Sequence, residues 1–301
     1  MEFTGERFVP GNDVDLCLTY EHKHRYEFLS GIVKGKQVVD IACGEGYGSH
    51  ILSGTAANVV GVDISDDAVK FAKEKYSGVN NLSFIQGSVT NIPVESNTVD
   101  IMVSFETIEH IHEHDEMLSE SKRILKDDGL LIISTPDKRV YTDESGEINQ
   151  YHVKELYRQE FVDLLKKYYP QVDIYGQRFV TTSSIIPETS DGKPLQIMGE
   201  IEESDSTYLI AICRMVPHQE SGLSGSLYFN KNEDIFAQSK KKMRWASSIH
   251  SELMKAQSDY QKLEMDWNKK SKEIDDLTRE LKLSRNGFLG KIKSFLKNNN
   301  Y

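Results

Sequence analysis

Cysteine is scarce in this chain of 301 residues: Cys17, Cys43 and Cys213 stand far apart, and no Cys-x-x-Cys pair occurs. That leaves neither a disulfide framework nor a zinc-binding pair and suits a reducing compartment. No apolar run approaches the ~18 residues that a membrane-crossing helix needs. The opening stretch MEFTGERFVPGNDVD carries charges where a secretion signal needs an apolar centre. These absences predict a soluble cytoplasmic protein. Basic charge is also short in the body: residues 1–239 hold 21 Lys and Arg against 39 Asp and Glu. An acidic body excludes nucleic acid as the main partner, because phosphate binding needs a basic face. The balance reverses at the end, where residues 240–301 hold 15 basic against 8 acidic groups. From Ser226 to Asn286 there is neither glycine nor proline, which predicts one long helix.

What is present begins with alternation. Short β-branched runs at Gln37–Ile41, Asn58–Ile64, Leu82–Ile85, Val99–Ser104 and Leu130–Ser134 are separated by stretches of helical spacing. Strands alternating with helices imply an α/β fold, a parallel sheet covered on both faces. A helix at Lys154–Tyr168 and a last strand at Thr207–Arg214 follow. Gly176–Asp205 is polar, rich in Ser, Thr, Gly and Pro, and reads as a surface excursion. The expected organisation is a covering segment 1–34, a main domain 35–216, a linker 217–232, a coiled coil 233–286 and a basic tail 287–301.

The segment VVDIACGEGYG places Gly44, Gly46 and Gly48 directly after the first strand. Glycine takes positive φ and has no Cβ, so it allows a tight strand-to-helix turn and close approach of a ligand. Asp63 ends the next strand, 23 positions after Asp40, where a carboxylate can accept hydrogen bonds from both ribose hydroxyls. A nucleoside lying across the strand tips is indicated. The dinucleotide fingerprint would want a third small residue at Ser49, but Asp40 and Glu45 would repel a pyrophosphate. Asp40 is placed instead to organise the glycine turn or to meet an amino-acid ammonium group.

Four segments, VVDIACGEGYG, VVGVDIS, FIQGSVTNIPVESNTVDIMVSFETIEHI and RILKDDGLLIISTP, resemble in order and spacing the motifs of class I S-adenosylmethionine-dependent methyltransferases over about residues 36–136. The resemblance implies a Rossmann-like seven-stranded methyltransferase sheet whose last strand is antiparallel, and S-adenosyl-L-methionine as cofactor. By position, Asp40 and the loop Ala42–Gly46 would hold the methionine end, with Ala42 replacing the family's first glycine. Asp63 would bind the ribose and Ile64 would lie against the adenine. Ser88 and Val89 would sit at the adenine's exocyclic nitrogen, and Phe105 beside the methyl-donor pocket. Arg25, in the covering segment, could pair with the methionine carboxylate, and Tyr20 or Tyr26 could close over it.

An alcohol acceptor needs somewhere to send its proton, and histidine is the usual answer. ETIEHIHEHDE offers His110, His112 and His114 beside Glu106 and Glu109; His110 and, further on, His152 are the candidate bases. The carboxylate spacing matches no established zinc signature, and no metal is expected. FTGERFVPG, EHKHRY, DIACGEGYGS and YHVKE further resemble methyltransferases of bacterial surface-polysaccharide synthesis, some of which cap the terminal sugar of an O-antigen chain, over roughly residues 3–176. That implies a glycan acceptor. A small-molecule acceptor, such as a quinone precursor or amino sugar, is the first rival, and a non-catalytic cofactor-binding regulator the second.

Ile249, Leu253, Ala256, Tyr260, Leu263, Trp267, Lys270, Ile274, Leu277 and Leu281 alternate by four and three residues. Such a seam predicts a coiled coil and a homo-oligomer, with Lys270 fixing register. After Gly287, Phe288, Leu289, Ile292, Phe295 and Leu296 share one helical face with Lys291, Lys293 and Lys297 among them. That pattern suits peripheral contact with the inner face of a membrane, or with a glycosyltransferase complex.

Overall fold

The computed structural model describes residues 16–146, 148–180, 206–216, 223, 225–228 and 235–298. The chain divides into two units, Met1–Asn230 and Lys231–Tyr301. The first holds a seven-stranded sheet in the order β3-β2-β1-β4-β5-β7-β6. Its strands are β1 (Gln37–Ile41), β2 (Asn58–Asp63), β3 (Leu82–Gln86), β4 (Val99–Ser104), β5 (Leu125–Pro136), β6 (Gln171–Gln177) and β7 (Tyr208–Arg214). β1 to β5 pair in parallel, while β7 runs antiparallel to both β5 and β6. Seven strands with the last one antiparallel are what the resemblance implies.

Parallel strands at the centre are buried on both faces, which is why β1, β4 and the later part of β5 are mainly apolar, interrupted by Asp40 and Asp100. One core layer gathers Val39, Met102, Leu131, Phe161 and Leu209; the opposite layer gathers Leu29, Val38, Ile101, Ile132 and Ile212. The covering helices are α1 (Leu16–Phe28), α2 (Tyr47–Ser53), α3 (Asp66–Lys75), α4 (His114–Ile124) and α5 (Arg158–Lys166). Ser65 caps α3, its hydroxyl accepting the Ala68 N–H at 3.3 Å.

Strand ends mostly agree with the sequence expectation to within a residue or two, and three larger differences stand out. β5 starts at Leu125, because the polar turn through Asp128 is drawn into the strand ahead of Leu130. The helix expected at Lys154–Tyr168 spans only Arg158–Lys166, since residues 152–157 are committed to the loop described below. β6 has no counterpart in the sequence reading: QVDIYGQ is a half-exposed edge strand with no apolar run. The first part of the expected covering segment (1–15), most of the polar excursion (181–205) and most of the linker fall outside the described residues. In the second unit, helix α6 runs from Ile235 to Asn298, through Gly287 and Gly290 without a break. Among the described residues no helix is long and apolar enough to cross a membrane.

Candidate active site

All the parallel strands end at one edge of the sheet, and the loops there carry the predicted residues. After β1 the chain turns through Ala42 (φ +59°), Gly44 (φ +55°) and Gly46 (φ +79°), and Gly46 starts α2. The two glycines serve different ends. A Cβ on Gly46 would lie 2.5 Å from the Phe84 ring, whereas a Cβ on Gly44 would meet nothing within 4 Å. Gly46 is therefore demanded by packing, and Gly44 faces open space. Asp63 ties the tips of β1 and β2 together: its Oδ2 accepts the Gly44 N–H at 2.8 Å and its Oδ1 the Ser65 N–H at 2.9 Å.

Asp40 lies one residue before the end of β1 and is fully buried. Ser49 donates to its Oδ2 at 2.6 Å and the Tyr26 hydroxyl to its Oδ1 at 3.3 Å. Burial pushes its carboxyl up to about 7, against the opposing pull of those two hydroxyls. The same burial, with Asp40 beside it, raises the Tyr26 phenol well above its ordinary value. Tyr26 also packs edge-on against Phe105, ring centroids 5.0 Å apart, so α1 joins the glycine turn to the tip of β4.

Arg25 comes from the same helix and is buried. Its Nε donates to Gln177 Oε1 at 2.5 Å, its Cζ lies 4.2 Å from the centre of the Tyr208 ring, and its Nη1 is 3.2 Å from Glu106 Oε1. Neither terminal nitrogen has a hydrogen-bond acceptor among the described residues. Glu106, just past β4, holds φ +50°; its N–H donates to Ser134 Oγ at 3.1 Å and Ser134 Oγ donates back to its Oε1 at 2.6 Å. Ile64 is exposed beside Asp63. Ser88 forms a small turn after β3, its hydroxyl accepting the Thr90 N–H at 3.2 Å, while Val89 packs against the core.

Beyond Glu106 a 3-10 turn, Ile108–His110, meets the loop 149–155. The Glu109 carbonyl accepts the N–H groups of Val153 and Lys154 at 2.9 and 3.0 Å, which clips the loop onto the turn. His110 and His152, 42 positions apart, are thereby brought ring to ring at 4.9 Å. His110 Nδ1 lies 2.9 Å from the Tyr151 carbonyl, so that nitrogen carries the hydrogen and Nε2 the lone pair. His152 Nδ1 donates to Glu155 Oε1 at 2.5 Å, and the Asn149 amide donates to its Nε2 at 3.0 Å. Asn149 is oriented by the Tyr151 N–H on its carbonyl oxygen. Glu109 is buried, and burial with Glu106 nearby holds its carboxyl well above the usual range. His114 does not join them: it is buried with Nε2 2.8 Å from the Ile108 carbonyl. His112 is exposed.

A family model described as Methyltransferase domain matches residues 32–280. The chain belongs to that methyltransferase domain family. Over 166 residues it is 30% identical to a protein of Mycobacterium tuberculosis named as a probable S-adenosylmethionine-dependent methyltransferase, covering 55% of this chain and 60% of that protein. It is 32% identical over 108 residues to the ubiquinone biosynthesis O-methyltransferase of Glaesserella parasuis, covering 34% of this chain and 45% of the relative. The chain thus spans about 60% or less of the length of these curated relatives. A crystal structure of an S-adenosylmethionine-dependent methyltransferase from Thermotoga maritima shares the fold, with a TM-score of 0.50 and 19% identity, covering 67% of this chain and 92% of that one.

S-adenosylmethionine is the cofactor of this methyltransferase family, and the residues present fit it. Open space lies over Gly44, whose N–H is held by Asp63, and the terminal nitrogens of Arg25 are buried beside the β4 tip without a hydrogen-bond acceptor among the described residues, Nη1 facing Glu106 at 3.2 Å. An amino acid's carboxylate is the natural partner for such a guanidinium. Sequence reasoning missed the roles of Ser49 at Asp40, of Gln177 and Tyr208 at Arg25, and of Tyr47, whose ring packs edge-on against Tyr26 at 5.5 Å. Each supports a named residue from an element whose contacts no local pattern reveals.

Proposed function

We propose that this chain transfers a methyl group from S-adenosylmethionine to a hydroxyl group of a carbohydrate, with the end of a bacterial surface polysaccharide as the acceptor. The observation that carries hydroxyl chemistry is the convergence of Glu109, His110 and His152 just past Phe105 and Glu106. An alcohol must lose its proton as the methyl carbon arrives, and a histidine in that cluster can take it. The glycan rests on the resemblance of the front segment and YHVKE to surface-polysaccharide enzymes.

The bound sulfonium supplies an electrophilic methyl carbon. The protein's part is to hold it and the acceptor in line, and such positioning can contribute about 7–11 kcal/mol. Asp63 takes the ribose, Asp40 and Arg25 the two ends of the amino acid, and Tyr26 with Phe105 walls off water. The histidine cluster serves the acceptor's proton. His110→Gln and His152→Gln should each lower turnover at saturating cofactor by ~10²-fold or more while cofactor affinity stays within about twofold. Unchanged turnover in both would remove the cluster from the chemistry.

A quinone precursor is the second reading, favoured by the identity to a ubiquinone biosynthesis O-methyltransferase. Deleting the gene and weighing purified surface glycans by mass spectrometry separates the two. Loss of 14 mass units per methyl group from the glycan supports the first reading; intact glycans with an accumulated hydroxylated quinone precursor support the second.

A further inference from the structure

Glu109, His110 and His152 each offer one ligand atom, and these atoms all lie within 4.8 Å of one another. Glu109 Oε2 takes a long contact of 3.4 Å from the Thr135 hydroxyl. Its other oxygen, Oε1, is buried without a hydrogen-bond partner among the described residues, and the carboxylate is 1% exposed. His110 Nε2 is 3.9 Å from that oxygen, too far for a hydrogen bond. Two ligands at about 2.0–2.2 Å from one ion stand roughly 3–3.5 Å apart, so a small rotation of either side chain closes the pair around a cation.

Both imidazoles are also oriented from behind in the manner of metal ligands. The Tyr151 carbonyl holds Nδ1 of His110, and the Glu155 carboxylate holds Nδ1 of His152, which puts the ring lone pair of each on Nε2; that of His152 takes the Asn149 amide at 3.0 Å. Arg25 and Ser134 already engage Glu106, so the unsatisfied carboxyl oxygen in this corner is Oε1 of Glu109.

We propose that Glu109 Oε1, His110 Nε2 and His152 Nε2 bind a divalent transition-metal cation, the Asn149 amide giving way at His152. Two imidazoles and one carboxylate favour Mn2+, Fe2+, Co2+, Ni2+ or Zn2+ over Mg2+ and Ca2+, and they leave coordination positions open. This departs from the sequence expectation of no metal. The third ligand arrives from a loop 42 residues away, outside any local signature.

The use of the cation rests on the methyl-transfer reading; its binding does not. An acceptor hydroxyl on an open position loses its proton to solvent water more readily. The resulting oxygen anion then takes the methyl carbon: the C–O bond forms, the C–S bond breaks, and the sulfonium leaves as a neutral thioether. An acceptor with two neighbouring hydroxyls, as on a sugar ring, could fill two such positions.

The test uses the full chain stripped with chelator and titrated with Mn2+ alone, free Mn2+ being read by electron paramagnetic resonance. One Mn2+ per chain is expected. Glu109→Gln and His152→Gln should abolish it, and Glu155→Gln should weaken it by about 10–100-fold. Circular dichroism and calorimetry with S-adenosylmethionine on the same samples check that each variant is folded. No uptake of Mn2+ or Zn2+ by the wild type overturns the proposal. So does equal uptake by folded Glu109→Gln and His152→Gln. Metal uptake without cofactor binding would sink the methyltransferase reading and leave the cation site standing; cofactor binding without metal uptake does the reverse.

Discussion

Asp40 and Arg25 show how single residues are tuned here. The folded Asp40 carboxyl titrates at about 7, pushed up by burial, against about 3.9 in an unfolded chain. Between those values the folded state keeps a proton that the unfolded state has released. Asp40 therefore lowers stability as pH rises from about 4 to about 7, and its effect is constant above that. A cofactor ammonium beside it favours the ionised form, so binding at pH 6 should expel a proton. Calorimetry in two buffers of different ionisation heat would measure that release, and Asp40→Asn should lose it. Arg25→Ala should weaken cofactor binding by about 10–100-fold, the worth of a charged hydrogen bond. The loss should shrink for a cofactor lacking its carboxylate; an equal loss for both forms would mean that Arg25 acts elsewhere.

At the scale of elements, the glycine turn is the part most exposed to a test. Gly46→Ala combines left-handed backbone with a clash against Phe84, and should cost roughly 2–5 kcal/mol of stability, read as a fall in Tm. Gly44→Ala carries only the backbone strain, about 1–2 kcal/mol, but it fills the open space and should depress cofactor affinity more than Gly46 packing would suggest. The strands β1, β2 and β4 were legible because strands buried on both faces are mainly apolar, and β3, though at the edge, keeps the apolar residues Leu82, Phe84 and Ile85. β6 was not, because an edge strand that is half exposed needs no such pattern. The glycine loop and Asp63 could be read from spacing, since one strand-turn-helix unit carries each of them. The pairing of His110 with His152 could not: it depends on two backbone hydrogen bonds from Val153 and Lys154 to the Glu109 carbonyl, a contact between segments that sequence periodicity does not record.

On the scale of the whole molecule, α6 sets the question of assembly. Its seam residues are exposed, Leu263 at 68% and Trp267 at 73%, although the seven-residue spacing places them in one line. We propose that a second copy of the chain covers them, as a coiled coil would. Sedimentation of residues 1–230 should then give a smaller assembly than the full chain, and Leu263→Asp with Leu277→Asp should have the same effect; an unchanged mass would contradict self-association. The basic end of α6 is a separate proposal: flotation on anionic vesicles should fall when residues 287–301 are removed.

The methyl-transfer reading depends on the strand tips of β1 and β2 gripping an adenosyl sulfonium through the space above Gly44 and the carboxylate of Asp63. Isothermal titration of the purified full chain with S-adenosylmethionine is the direct measurement. Saturable one-to-one binding that Asp63→Ala weakens by at least about tenfold is the predicted result. Absence of heat with folded protein, together with saturable binding of a nicotinamide dinucleotide, would contradict it.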